Sequence, residues 1–332
     1  MSNRCETGVF ETEGYHGGIR VAIPYVRVTG CCDGPQATIM AAQHGRELNG
    51  IESIRRAIAH VREAPSLTGT CVFVPVANPL AAPMRQQDYP FEYGRYFAGA
   101  AGFNLNRVWP GRADGSLYAA MAKAIWDGAI RQSRLCIDLH GWTGRSTSLL
   151  WGYRRDAAFV RSVGFDIHML VDDPATDAPG GVSECACYRA GILPLVAELT
   201  PQNVLSEPSI RLGLRTVLNA LRRLGMLDEK PDMPPRQIEF TARNNEHVVK
   251  ADRPGLFVPS AGLLDMVEPG DALGAVVSLG NVLDARAVTA PAAGTVFNIG
   301  GPIWAESRPD SALVEPGDTV ALVREVADVI RY

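Results

Sequence analysis

The chain has 332 residues, 46% of them hydrophobic and 20% charged, with 32 basic and 36 acidic side chains for a formal net charge of −4. That length can bury one large core and a smaller one, and the near-balance of charge excludes the basic stripe that broad nucleic-acid binding needs. Seven cysteines without a C-x-x-C pair exclude a disulfide framework, and with no apolar leader in residues 1–6 and no run of 18 apolar residues the expectation is a cytoplasmic protein outside the membrane.

In chain order, residues 37–42 read as a buried strand. Residues 48–61 follow as an amphipathic helix carrying Ile51, Ile54, Ile58 and Val61 on one face. Further strands are expected near 71, 135, 167 and 194, interleaved with helical patterns at 48–62, 114–132 and 207–225. This alternation predicts an α/β fold with a mostly parallel mixed sheet flanked by helices. The charged, proline-rich stretch 227–235 reads as a linker, giving a catalytic domain at 1–230 and a second domain at 236–332. In the second, short β-rich runs at 246–250, 287–290 and 319–324 are separated by two Glu-Pro-Gly-Asp turns at 268–271 and 315–318, which predicts a smaller all-β domain.

Two strand ends carry chemistry. The turn Gln43-His44-Gly45-Arg46-Glu47 leaves the first buried strand, and Asp138-Leu139-His140 ends the strand that starts near 135. The carboxyl ends of strands are where open α/β sheets place their sites. Either piece alone reads equally well as a hydrogen-bonded structural residue or a chance tetrapeptide. Together, His44, Glu47 and His140 have the donor set and spacing of a catalytic zinc site, in which three protein ligands leave the fourth tetrahedral position for water. On a strand Asp138 shares a face with His140. A carboxylate there is expected to reach a ligand histidine from behind and fix its tautomer, His44 being the expected partner.

With these segments in place, the chain resembles the succinylglutamate desuccinylase and aspartoacylase family, a branch of the zinc carboxypeptidase clan whose members remove acyl groups from N-acyl amino acids. The resemblance rests on His44-Gly45-Arg46-Glu47, Asn78-Pro79-Leu80-Ala81, the run from Asn104 to Gly111, Asp138-Leu139-His140, and the run from Val196 to Gln202, in this order. It implies one zinc ion per chain held by His44, Glu47 and His140. It also implies that Glu198 is the general base and acid and that Asn106 and Arg107 receive a substrate carboxylate.

Physical chemistry is consistent with those implied roles. The apolar run 193–197 would bring Glu198 out of a buried strand partly desolvated, which raises a carboxylate pKa toward the working range. A strand-end glutamate paired with an arginine is the plain alternative. The planar fork of Arg107 suits a carboxylate better than a lysine does, and Asn106 adds a neutral amide donor, although the pair can equally brace the Trp109-Pro110-Gly111 turn. The resemblance further implies an arginine between Asn78 and Asn106 that polarises the scissile carbonyl. Arg85 is preferred to Arg95, and the longer aromatic-rich stretch 88–103 leaves the choice open. That stretch, with Tyr89, Phe91, Tyr93, Tyr96 and Phe97, suits a lid, a loop packed on the protein or a contact with a second subunit, so a homodimer stays open as well.

The paired Glu-Pro-Gly-Asp turns, with residues 290–296, look similar to the sandwiched hairpins of biotinyl and lipoyl carriers, which predicts a barrel-sandwich-like module. A carrier needs a lysine on its exposed hairpin. The chain's lysines are Lys123, Lys230 and Lys250, none between the two turns or beyond them, which argues against a swinging arm. In the family such a module covers and narrows the zinc site. Cys71 and Cys136 read as small buried hydrophobes and Cys185 and Cys187 as packing residues. His16, His60, His168 and His247 have no ligand-like neighbours.

The sequence as a whole therefore predicts a zinc-dependent amidohydrolase acting on a small anionic N-acyl amino acid, with no nucleic-acid or membrane partner. A small carboxypeptidase or carboxylic-ester hydrolase with the same zinc machinery is the nearest alternative, and a zinc-stabilised binding protein without turnover is the alternative from another class.

Overall fold

Ten strands form one mixed sheet in the order β1-β2-β4-β3-β5-β8-β6-β7-β9-β18. They are β1 (Arg4–Glu11), β2 (Ala22–Thr29), β3 (Cys32–Ala41), β4 (Thr68–Val74), β5 (Leu135–His140), β6 (Leu149–Tyr153), β7 (Ile167–Val171), β8 (Leu193–Glu198), β9 (Arg236–Phe240) and β18 (Val326–Arg331). The computed structural model describes residues 3–12, 20–88, 104–174, 181–240, 246–300 and 312–332. Arg95 and the aromatic stretch from Tyr89 to Phe103 lie outside the described residues.

The centre of the sheet is parallel, β4-β3-β5-β8, and every residue of β5 is buried, as is expected of a strand covered on both faces. Helices Asn49–Glu63 and Glu207–Arg223 cover one face. Ile54, Ala57 and Val61 of the first and Val217, Ala220 and Leu221 of the second share a core with Ile39, Ile137 and Leu195. Helix Leu117–Gly128 covers the other face with Tyr118, Met121 and Ile125 against Met40, Val74 and Cys136. This helix is shorter than the periodicity of 114–132 predicts. Ser116 caps it by accepting the amide of Ala119, and a separate 3₁₀ turn follows at Ile130–Gln132.

The expected strands near 37, 71, 135, 167 and 194 are present as β3, β4, β5, β7 and β8. Three more, β1, β2 and β6, carry no long apolar run. β1 lies at the sheet edge, where half-exposed residues alternate with exposed ones, and its only pairing is antiparallel to β2.

The C-terminal part holds two antiparallel four-stranded sheets. One has the order β10-β17-β15-β12, formed by β10 (Glu246–Lys250), β17 (Thr319–Arg324), β15 (Gly294–Ile299) and β12 (Met266–Val267). The other is β14-β13-β11-β16, formed by β14 (Ala285–Thr289), β13 (Ala272–Val277), β11 (Gly255–Pro259) and β16 (Leu313–Val314). They enclose their own core of Phe257, Leu273, Val276, Val296 and Val320.

The first and last strands of this region, β9 and β18, belong instead to the large sheet, where β9 runs parallel to β7. The region expected as a smaller all-β domain is thus tied into the large sheet at both ends. Phe297 and Leu322 also pack on Leu149, Met169 and Phe240. The loop after His140 is pinned to β15, with the Thr147 amide donating to the Phe297 carbonyl (3.0 Å) and the Ile299 amide to the Arg145 carbonyl (3.0 Å).

Candidate metal centre

β3 ends at Ala41, and Ala42 takes a left-handed φ of 53°, a conformation that non-glycine residues hold only when their surroundings enforce it. The enforcing contacts come from the turn after β4. The amides of Ala77 and Asn78 donate to the carbonyls of Ala41 (2.9 Å) and Ala42 (3.0 Å), and the Asn78 side chain donates to the Gln43 carbonyl (3.1 Å). Gly45 closes against the next loop, where a Cβ would meet the Ala81 carbonyl carbon at 2.4 Å. His44 and Glu47 are thereby fixed at the mouth of the sheet.

His44, Glu47 and His140 are all buried, and each offers a ligand atom within 4.8 Å of the other two. Both histidines turn Nδ1 toward the Glu47 carboxylate, His44 at 2.8 Å from Oε1 and His140 at 3.1 Å from Oε2. Their far nitrogens face oxygen acceptors. Nε2 of His44 lies 3.1 Å from Asn104 Oδ1, and Nε2 of His140 lies 3.0 Å from Asp138 Oδ2. With a proton on each Nε2 directed at those acceptors, both Nδ1 atoms would be available as ligands beside the Glu47 carboxylate. This donor set suits a zinc ion, and the outer oxygens fix ring orientation as they do behind metal-bound histidines.

Asp138 therefore serves its own strand neighbour His140, two residues on, rather than His44 as the sequence suggests. The same-face geometry of a strand brings these two side chains together. Asn104 occupies the position expected for Asp138. Gln43 and Trp109, named in the motifs but given no role at the site, and Ser183, unmarked in the sequence, complete the bracing. Gln43 donates to Asp138 Oδ2 and accepts from Trp109 Nε1 (2.8 Å), and Ser183 donates through its hydroxyl to the same Asp138 oxygen. The signal for Gln43 and Asn104 was adjacency to the motif residues. Nothing local marks Ser183, 45 residues from Asp138 along the chain.

Glu198 stands opposite His140 in the β5–β8 register and is 5% exposed. Among the described residues its Oε2 has no hydrogen-bond partner. Burial pushes its carboxyl well above the usual range and the Glu47, Asp138 and Glu184 carboxylates add to this, with His140 opposing. Glu47 behaves oppositely. Burial would raise it, but the two imidazoles outweigh burial and bring it down to about 2.

Asn49 locks these parts together. Its amide donates to the Leu199 (3.2 Å) and Pro201 (2.7 Å) carbonyls, and its oxygen accepts the Ser206 amide (2.8 Å), so the helix that begins just after Glu47 is tied to the segment that follows Glu198.

Asn106 reaches the same centre, with Nδ2 3.4 Å from His140 Nε2 and Oδ1 accepting the Ser183 amide (3.0 Å). Arg107 is exposed next to it and donates to the Asn106 carbonyl (2.7 Å). Arg85 is exposed at the left-handed end (φ 57°) of the short helix Ala81–Met84, in the loop whose Gln87 carbonyl accepts the Gly45 amide. The structure brings His44, Glu47, His140, Asp138, Asn106 and Glu198 to one locus. It leaves the Arg85 side chain at the surface beside it.

Of the histidines without assigned roles, His60, His168 and His247 each pair with a glutamate, namely Glu229, Glu239 and Glu325, and His16 lies outside the described residues. All seven cysteines are free. No helix among the described residues is long and apolar enough to cross a membrane.

Residues 33–224 match the sequence profile of the succinylglutamate desuccinylase/aspartoacylase catalytic domain. The chain is 24% identical over 310 residues to the N-alpha-acetyl-L-2,4-diaminobutyric acid deacetylase of Halomonas elongata, a match covering 89% of this chain and 84% of that protein. Its fold is similar to that of an aspartoacylase family protein from Mesorhizobium loti (TM-score 0.74, 22% identity, 98% and 95% of the two chains covered). It is similar also to the ectoine utilization protein EutE of Ruegeria pomeroyi, solved with product bound (TM-score 0.75, 21% identity, 98% and 96% covered).

Proposed function

Because this chain belongs to the succinylglutamate desuccinylase/aspartoacylase family, a family of deacylases, we propose that it is a zinc-dependent amidohydrolase that removes the acyl group from a small N-acyl amino acid in the cytoplasm. The observation that carries this reading is the convergence of both Nδ1 atoms on the Glu47 carboxylate, with Glu198 in register beside His140. The name of the Halomonas elongata relative supports acetyl as the acyl group. Seven free cysteines fit a reducing compartment.

His44, Glu47 and His140 would hold the zinc, which when bound would supply Lewis-acid activation of water and of the acyl carbonyl. Glu198 takes the proton that the attacking water loses and returns it to the departing amine nitrogen, a task suited to a carboxyl whose pKa burial has raised. Asn106 and Arg107 receive the carboxylate of the substrate, the arginine through two parallel charge-assisted hydrogen bonds. Arg85 swings from the neighbouring loop to donate to the oxygen of the acyl carbonyl as negative charge develops there.

The test is metal analysis of freshly purified protein combined with an amine-release screen over N-acetyl, N-succinyl and N-formyl amino acids, with matched esters, before and after chelation. One zinc per chain with chelator-sensitive amine release is the expected result. Release that survives complete removal of divalent metal removes the zinc assignment, and turnover confined to esters removes the amide assignment.

A further inference from the structure

Resting on that deacylase reading, we propose that Glu184 reads the side chain of the amino acid half of the substrate, and that the preferred substrate carries an ammonium group there. Glu184 lies in the first turn of helix Ser183–Arg189, which is docked on the segment carrying Asn106 and Arg107. The Trp109 amide donates to the Gly181 carbonyl (2.9 Å) and the Ser183 amide donates to Asn106 Oδ1 (3.0 Å). Gly181, at φ +133°, allows the close approach, since a Cβ there would meet the Arg107 carbonyl oxygen at 2.2 Å. On its other side the turn touches the metal centre, where Ser183 Oγ donates to Asp138 Oδ2 and lies 3.5 Å from Glu184 Oε2.

Through Ser183, Glu184 thus adjoins both the Asp138–His140 side of the histidine-glutamate group and the segment carrying Asn106 and Arg107. A substrate held at both ends presents its Cα side chain to this wall. The carboxylate of Glu184 is partly buried and among the described residues makes no ion pair with a lysine or arginine. Arg107, whose field reaches it, spends its Nη1 hydrogen bond on the Asn106 carbonyl. Among the described residues, Asp138 Oδ1 and Glu198 Oε2, both buried, lack hydrogen-bond partners. An ammonium on a short substrate side chain matches the carboxylate of Glu184, whereas a second carboxylate on the substrate is repelled.

The experiment compares three substrates of equal side-chain length, Nα-acetyl-L-2,4-diaminobutyrate (cationic), Nα-acetyl-L-norvaline (neutral) and Nα-acetyl-L-aspartate (anionic), on the zinc-loaded wild type and on Glu184→Gln and Glu184→Asp. Calorimetric binding of the free amino acids 2,4-diaminobutyrate and norvaline to the same proteins is measured in parallel. The expected result is a kcat/KM preference of about tenfold or more for the cationic substrate over the neutral one, which falls to near unity in Glu184→Gln, mainly through KM, and is partly kept in Glu184→Asp. Equal cationic-to-neutral ratios in wild type and Glu184→Gln overturn the assignment of Glu184 while leaving the deacylase reading intact. Conversely, failure to hydrolyse any of the three, with Glu184-dependent binding of 2,4-diaminobutyrate, overturns the deacylase reading and keeps the charge recognition. Absence of both overturns both.

Discussion

His140 and Glu198 are paired in register at the carboxyl ends of two neighbouring parallel strands, so the His140 imidazole and the buried Glu198 carboxylate leave the sheet on the same side. One is a candidate ligand and the other a candidate proton carrier, and two backbone ladders hold them at a fixed spacing because β8 is also bonded to β6, with Leu149 opposite Glu198. Removing the proton-carrying capacity should leave the ligands untouched. Glu198→Gln is expected to lower kcat by about 10²–10⁴-fold with unchanged zinc content and unchanged melting temperature or a slight rise, since it replaces a buried carboxylate lacking a partner at Oε2. A kcat within threefold of wild type, measured by amine release, would show that another group carries the proton.

The outer oxygens behind the two histidines should act on metal affinity more than on fold. Asn104→Ala removes the acceptor of His44 Nε2, and Asp138→Asn weakens that of His140 Nε2. Each is expected to weaken zinc binding by about 10–100-fold, against near-complete loss in His44→Ala or His140→Ala. Competition with a chromophoric chelator measures this. Equal zinc affinity in Asn104→Ala and wild type would mean that the His44 ring is oriented by something other than Asn104.

Asn49, 1% exposed, makes three hydrogen bonds that join the start of the helix after Glu47 to the segment after Glu198. Asn49→Ala leaves two carbonyls and one amide without these partners, so a loss of about 1–3 kcal/mol in stability is expected, together with a fall in kcat at temperatures where the fold is intact. Urea denaturation and initial rates on the same preparation check both. A stability loss with no kcat change would confine Asn49 to a purely structural role.

A pH dependence of stability follows from the trio Arg161–Glu239–His168, in which the histidine and the carboxylate are buried and the guanidinium is partly exposed. His168 is fully buried, with Nε2 2.9 Å from Glu239 Oε2, and Arg161 binds the same carboxylate through Nε (2.8 Å) and Nη2 (3.0 Å). Burial holds the imidazole below its usual pKa despite the carboxylate, so the unfolded chain takes up a proton first as pH falls below the ordinary histidine value. Stability from this group is complete above that value and is lost as pH falls toward the folded pKa, at a slope of at most about 1.4 kcal/mol per pH unit. Burial would raise Glu239, but its bonds to Arg161 and His168 lower it overall, which adds a second loss in the carboxylate range. Urea midpoints between pH 7 and 5 should fall less steeply in His168→Gln than in wild type. Identical slopes would assign the acid sensitivity to other groups.

Much of this molecule was legible in local sequence because local sequence encodes periodicity and face. The 3.6-residue pattern from Ile51 to Val61 and the apolar runs ending at Ala42, His140 and Glu198 specified elements whose burial leaves little freedom, and the strand ends located the metal-binding candidates together with the α/β class. Local pattern does not encode which distant segment lies alongside. The partner of Asp138 was settled by the direction in which the His44 ring faces Asn104, 60 residues away. Ser183 and Glu184 reached the site only because Gly181 lets their helix dock on Arg107. Strands β1 and β2, with mixed polar and apolar faces, exist because the sheet offers them a hydrogen-bonding edge, and β9 and β18 joined the large sheet for the same reason rather than the small ones beside them. Backbone groups must pair somewhere, and only the assembled tertiary structure decides with whom.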